Sequence, residues 1–177
     1  MNSDPAAERA VLAALYRGGH DSWVEVSDIL SSDCFSCGNN SIYYRIMEKM
    51  LEDPGSKADV PSFMSTASVL GFPDLLKDQE EQKYLRALTV TAVESSNLRK
   101  QAARLVKFRK AAEFASVLRR SADRLDAVTG DETLGEILGV GEEAVFNFVG
   151  NLGSQSDTLS HIGKDLDEYL EYLAANP

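Results

Sequence analysis

The chain has 177 residues, with 18 Lys or Arg against 28 Asp or Glu and a formal net charge of −10. That length suits one domain with an appendage, able to bury a core without metals or disulfides. The acidity argues against broad binding to DNA or anionic membranes, and no run of about 18 apolar residues is present to span a bilayer. The N-terminal sequence MNSDPAAERA has neither the basic n-region nor the apolar h-region of a signal peptide, so the protein is expected in the cytosol, where thiols stay reduced.

Helical signals follow one another along the chain. Asp4 caps a first helix, Pro5 suits its first position and Glu8 supports its first turn. Val11, Leu12 and Leu15 form its apolar stripe, and Gly18-Gly19 end it. A short helix is predicted over Ser22–Leu30, burying Trp23, Val26 and Leu30. The stretch SSDCFSCGNN reads as a loop. Asn40 or Ser41 opens a third helix with Ile42, Tyr43, Ile46, Met47 and Met50 inward, stopped by Pro54-Gly55. Asp59 caps a fourth with Phe63, Ala67 and Leu70 inward, closed by Gly71. A fifth runs from about Asp78 to Leu88 with Tyr84, Leu85 and Leu88 inward. The β-branched run Thr89–Val93 cannot build a sheet alone, so it reads as a loop or a helix extension.

Half of the basic charge then falls in one segment. Leu98–Leu125 carries nine Lys or Arg and only two acids, Glu113 and Asp123. Apolar or small residues recur in steps of three and four from Leu98 through Ala102, Leu105, Phe108, Ala112, Ala115, Leu118 and Ala122 to Leu125. That spacing is one face of a continuous helix roughly 40 Å long. Thr129-Gly130-Asp131 is a turn, and a second long pattern follows to about Val149. Gly135, Gly139 and Gly141 weaken that helix by roughly 1 kcal/mol each relative to Ala, unless close helix contact uses them. Two long helices around a tight turn make an αα-hairpin. Residues 150–157 read as a flexible linker. Beyond it, Leu159, Ile162, Leu166, Tyr169 and Leu173, with Leu170 beside them, form a narrow seam opposite the acids Asp165, Asp167, Glu168 and Glu171. Such a helix buries its seam either on its own domain or in a groove of another subunit or domain. The expected fold is therefore all-α: a compact helical head over residues 1–95, a protruding hairpin over 96–150, and a linker with an amphipathic helix over 151–177.

Chemical motifs are sparse. Cys34-Phe-Ser-Cys37 is the only C-x-x-C, and it lacks the second ligand pair of a structural zinc site and the flanking strands of a redox motif. His20 and His161 have no partner at ligand spacing. No G-x-S-x-G marks a nucleophile elbow. The acidic clusters Asp78–Glu81 and Asp165–Glu171 read as solvated helix faces. The only Gly-Lys pair, Gly163-Lys164, has Thr158 and Asp165 where a phosphate-binding loop needs Gly and Ser or Thr.

The order of these parts resembles the N-terminal region of the DnaB family of replicative helicases. Ala6–Leu15 resembles the family's opening E-x-x-V-L-x-x-(L/M) helix. Trp23-Val24-Glu25-Val26 follows, and Asp33-Cys34-Phe35 matches a D-F turn. Ile42-Tyr43-Tyr44-Arg45-Ile46-Met47 fits I-(F/Y)-x-x-(I/M), and Ala58-Asp59-Val60 fits (I/V)-D-(L/V). The basic helix and its partner, ending Ala144-Val145-Phe146-Asn147-Phe148, match the family's protruding hairpin. Leu159–Leu173 looks like its linker helix. The cysteine pair, and Phe72-Pro73-Asp74-Leu75-Leu76 in place of a Gly-rich turn, depart from the pattern and fit a divergent member such as a phage-encoded one.

The resemblance implies a non-catalytic domain that forms a collar on a hexameric helicase and recruits primase. A helicase loader is a further partner, and ATP and Mg belong to a motor domain that would begin where this chain stops. It implies self-association through Phe108, Phe114, Leu118, Phe146, Phe148 and Val149, and docking of Leu159, Ile162, Leu166, Tyr169, Leu170 and Leu173 on a neighbouring motor domain. The alternative is a helical nucleic-acid-binding or adaptor protein using the basic segment, with Arg104, Lys107, Arg119 and Arg120 as weak DNA contacts. The basic side chains spread around more than one helix face, and no aromatics interleave with them for base stacking.

Overall fold

A computed structural model describes residues 3–93 and 95–153. Among them the chain is all helical, with seven α-helices, short 3-10 turns and no strand, as the hydrophobic spacing predicts. It divides into two compact units, the first ending at Ala112 and the second starting at Glu113.

The first unit is built around α1 (Pro5–Gly18). Asp4 caps it by accepting from the Ala7 amide at 3.0 Å, and Pro5 opens it. The helix buries Val11, Leu12, Ala13 and Leu15 completely and packs against the helices over His20–Val26, Asn40–Leu51 and Gln79–Val90. Gly19 ends it with φ +64°, a left-handed conformation that favours glycine. A Cβ there would sit 2.6 Å from the Ser56 carbonyl. That close approach lets the His20 amide donate to the same carbonyl. α2 (His20–Val26) therefore starts earlier than the predicted Ser22 and also stops earlier than Leu30. The amides of Ile29 and Leu30 both turn back to the Val26 carbonyl, closing a turn after the helix. Val26 and Leu30 are buried as expected, while Trp23 is only half-buried.

The stretch read as a loop contains a 3-10 turn, Ser32–Cys34. α3 (Asn40–Leu51) follows and buries Tyr43, Tyr44, Ile46, Met47 and Leu51. Tyr44 falls outside the predicted inward set. Its hydroxyl donates to the Leu30 carbonyl at 3.0 Å, and its ring stacks on Phe35, so a polar tip is buried with its bond made. α4 (Val60–Val69) is capped by Asp59 as predicted, and Phe63 and Ala67 face in. α5 (Gln79–Val90) is capped by Asp78 and buries Leu85 and Leu88. Thr89 and Val90 extend this helix, and only Thr91 onward leaves it.

α6 (Leu98–Asp126) is one uninterrupted helix of 29 residues. Sequence periodicity assigned all of it to the hairpin, with a boundary at residue 95. Instead, Leu98, Ala102 and Leu105 are buried in the core of the first unit. Arg99–Asp28 at 2.6 Å, Arg104–Asp4 at 2.8 Å and Arg109–Asp33 at 2.8 Å add ion pairs along the same half of the helix. These pairs are largely exposed and worth little individually. The buried aliphatics, at about 1.5–3 kcal/mol each for the larger ones, hold the helix there.

The second unit contains the rest of α6 and α7 (Leu134–Gly153). The two helices of this hairpin run antiparallel, since Phe114 stacks on Phe148 at one end (centroids 4.4 Å apart) while Arg124 pairs with Glu143 nearer the tip at 2.8 Å. The Glu132 carboxylate accepts from the amides of Thr129 and Gly130 in the turn. Thr133 and Glu136 then form a reciprocal capping box. The Thr133 amide donates to Glu136 at 2.7 Å, and the Glu136 amide donates to the Thr133 hydroxyl.

Candidate functional site

The hairpin has two apolar surfaces where the sequence suggested one. Its inner surface is the seam between helices. Phe114 and Phe148 stack there, joined by the half-buried Val117, Ile137 and Val140 and by buried Ala144. The other is exposed. On α7, Leu134, Leu138, Val145 and Val149 recur at helical spacing, with Leu138 59% and Val145 46% exposed. On α6, Leu118 (44% exposed), Ala122 and Leu125 do the same. At about 100° per residue, each stripe lies roughly a quarter-turn from its own inner seam in the direction of increasing residue number. Because the helices are antiparallel, those two rotations bring both stripes to the same side of the hairpin. We call that side the front. Arg124 and Glu143 bridge the opposite side, the back.

The six side chains predicted for self-association thus separate. Phe114 and Phe148 face each other inside the hairpin. Leu118 and Val149 lie on its front, and Phe146, 74% exposed, stands at the outer edge of α7. Phe108 belongs to the first unit, where it is half-buried beneath the Arg104 guanidinium, 5.6 Å from its ring centroid. The front also includes Leu125, Leu134, Leu138 and Val145, absent from the predicted set. Their signal was present in the sequence: α7 has too many apolar positions for a single seam.

Of the predicted DNA contacts, Arg104 pairs with Asp4, while Lys107, Arg119 and Arg120 are exposed. The predicted docking residues Leu159, Ile162, Leu166, Tyr169, Leu170 and Leu173 lie outside the described residues.

Two carboxylates were read too simply. Glu8 does more than support the first turn of α1. It is 1% exposed and accepts from the Ser36 amide (2.9 Å) and hydroxyl (3.1 Å), the Cys37 amide (3.1 Å) and the Asn40 side chain (2.8 Å). Burial alone would raise its pKa. The hydrogen bonds from Ser36, Asn40 and Cys37 outweigh that and hold the carboxyl below its ordinary value. The Cys-Phe-Ser-Cys loop is therefore shaped around a buried carboxylate. Its thiols are free, with Cys34 buried. Burial, then Glu8, pushes the Cys37 thiol up, away from the reactive thiolate.

Glu81 was assigned to a solvated face, and this is corrected. It is half-buried and accepts from Asn39 at 2.6 Å and from the Tyr43 hydroxyl at 2.9 Å. Nearby, Tyr84 donates to Asn40 at 2.6 Å and lies under the Arg9 guanidinium. Arg9, Asn39, Asn40, Glu81 and Tyr84 border an open cleft of ≈ 350 Å³, but their polar groups are engaged with one another. Among the described residues, no three His, Cys, Asp or Glu side chains are grouped to hold a metal ion, and no helix is long and apolar enough to cross a membrane.

Among the described residues the fold is all-helical, with an apolar stripe exposed on the front of its hairpin. Residues 1–108 match the family of the DnaB-like helicase N-terminal domain, and the chain belongs to that family. It is a helicase N-terminal domain, the non-catalytic part of such an enzyme. No curated protein matches the chain.

Proposed function

We propose that this chain forms part of the collar of a hexameric replicative DNA helicase and that copies associate through the front of the hairpin. The observation that supports this reading is the exposed apolar front on α6 and α7. A contiguous patch of that kind marks an interaction site, because monomeric proteins rarely leave one open to water. In this reading the collar recruits primase and a helicase loader, in the cytoplasm of a bacterial cell or a phage-infected host. The seam from Leu159 to Leu173 docks on a neighbouring motor domain, and ATP and Mg act in that domain. The purified chain is accordingly expected to turn over no ATP.

The test is Leu138→Asp in the 177-residue chain. Leu138 is on the front, so a charge there should shift the mass in solution toward the monomer while helical circular dichroism stays constant. An unchanged mass at low micromolar concentration would remove the front as the association surface. Phe148→Asp is the control: it buries a charge in the inner seam and should melt the hairpin instead.

A further inference from the structure

The open cleft of the first unit holds a cation that no carboxylate claims. Arg9 lies in the second turn of α1 and is exposed. Its guanidinium carbon sits 5.5 Å from the centroid of the Tyr84 ring on α5. Its contact with the Tyr84 oxygen can use only a part of its five N–H donors. Among the described residues it makes no ion pair. Two acids border the same cleft, and both are bound elsewhere. Glu80 pairs with Lys83 at 2.6 Å, and Glu81 accepts from Asn39 and from the Tyr43 hydroxyl.

A chain of hydrogen bonds sets the position of this cation. The buried Glu8 carboxylate accepts from the Asn40 side-chain amide at 2.8 Å. The Asn40 carbonyl oxygen accepts from the Tyr84 hydroxyl at 2.6 Å, and the ring held in this way carries the guanidinium. A guanidinium resting on an aromatic face keeps its planar edge of N–H groups available, and it is already ordered before anything binds. That edge matches a carboxylate or a phosphate, taken through two parallel hydrogen bonds.

The surroundings choose between the two. A phosphate dianion would meet Glu80 and Glu81 together, whereas a single carboxylate carries half the charge into that repulsion. The cleft volume of ≈ 350 Å³ is at the small end of ligand pockets. It lies open to solvent, which suits a few residues of an extended chain better than an enclosed small molecule. Gly38 is part of the lining, and nothing stands within 4 Å of where its Cβ would be. A peptide backbone can therefore come close to the turn at Gly38.

We propose that this cleft is a docking site for an extended peptide of another protein, whose Asp or Glu side chain is held bidentately by Arg9 above the Tyr84 ring. The site lies in the first unit, goes beyond the collar reading and does not depend on it.

Nuclear magnetic resonance of the isotope-labelled 177-residue chain tests the site. The probes are acetyl-Gly-Asp-Gly-amide and its Asn and phosphoserine counterparts, at constant ionic strength. The Asp peptide should shift the Gly38 and Asn39 amide signals and the Arg9 side-chain signal saturably, with a dissociation constant of about 1–5 mM. The Asn peptide should bind at least about fivefold more weakly, and the phosphoserine peptide no more tightly than the Asp peptide. Arg9→Gln should weaken the Asp peptide about tenfold, and Arg9→Lys, which keeps the charge without the planar edge, about threefold. Unshifted Val11 and Leu12 signals check that each variant keeps its core. Four results would each overturn the proposal. They are no saturable shift by about 20 mM, equal binding of the Asn peptide, tighter binding of the phosphoserine peptide, and an unchanged affinity in Arg9→Gln. Tighter phosphoserine binding would make the cleft a phosphate site instead.

Discussion

Replacing Glu8 by Ala removes one carboxylate that four donors share: two backbone amides, a hydroxyl and the Asn40 side chain. Hydrogen bonds to a charged group contribute about 1.5–3 kcal/mol each in net terms, and an abandoned buried donor costs about 1–3 kcal/mol. Water can reach the exposed Ser36 and the half-buried Cys37, so the sum does not apply in full. The Asn40 side chain is buried and has no such relief. A loss of about 3 kcal/mol is expected, which lowers the melting temperature of a domain this size by roughly 10 °C. Glu8→Gln keeps the shape but turns an amide NH2, itself a donor, toward donors and should cost about 2 kcal/mol. The pH dependence follows from the lowered carboxyl pKa. In the unfolded chain this group titrates near its ordinary value of 4.5. The stability it contributes is complete above that value and is lost as pH falls through the lower folded value. Urea titrations at pH 7 and below pH 4 should therefore show the difference between the original chain and Glu8→Gln shrinking with acid. A Glu8→Ala cost below about 1 kcal/mol at pH 7 would refute the carboxylate as the organiser of the loop.

Glycines should split by environment. Gly19→Ala meets the Ser56 carbonyl at a positive φ and should destabilise the first unit by about 1–3 kcal/mol in thermal melts. Gly139→Ala adds a methyl where nothing lies within 4 Å, and it should raise helix stability by roughly 1 kcal/mol. Phe148→Ala removes the aromatic partner of Phe114 and should cost about 1–3 kcal/mol. Amide exchange should quicken in α7 and stay constant in α1 and α3.

Elements with a cap and a clean apolar period were legible in the sequence. Asp4-Pro5 and Asp59 mark their helices correctly because a side-chain cap is a local bond. What escaped depends on residues distant in the chain. α2 is displaced because the Ser56 carbonyl, far along the sequence, receives the His20 amide. Glu8 and Glu81 look like surface acids until the loop before α3, and α3 itself, fold over them. The apolar period of α6 is continuous, yet Leu98–Leu105 serve the first unit's core while Phe114 serves the hairpin. Periodicity identifies a face and is silent on which neighbour covers it. The same limit merged the inner seam and the front of α7 into one predicted surface. The capping box Thr133-Leu-Gly-Glu136 that starts α7 is a local signal of the same kind, but the predicted start of that helix rests on the Thr129-Gly130-Asp131 turn and makes no use of it.

The central claim, association through the hairpin front, is tested most directly by sedimentation equilibrium of the unmodified 177-residue chain across a concentration series. An interface in the stable size class buries at least about 1,000 Å², so a dimer or larger assembly is predicted at micromolar concentration, and Val145→Asp should return it to the monomer with its helices intact. A chain that remains monomeric to about 100 μM, where even an association worth only about 5–6 kcal/mol would be visible, would contradict the account.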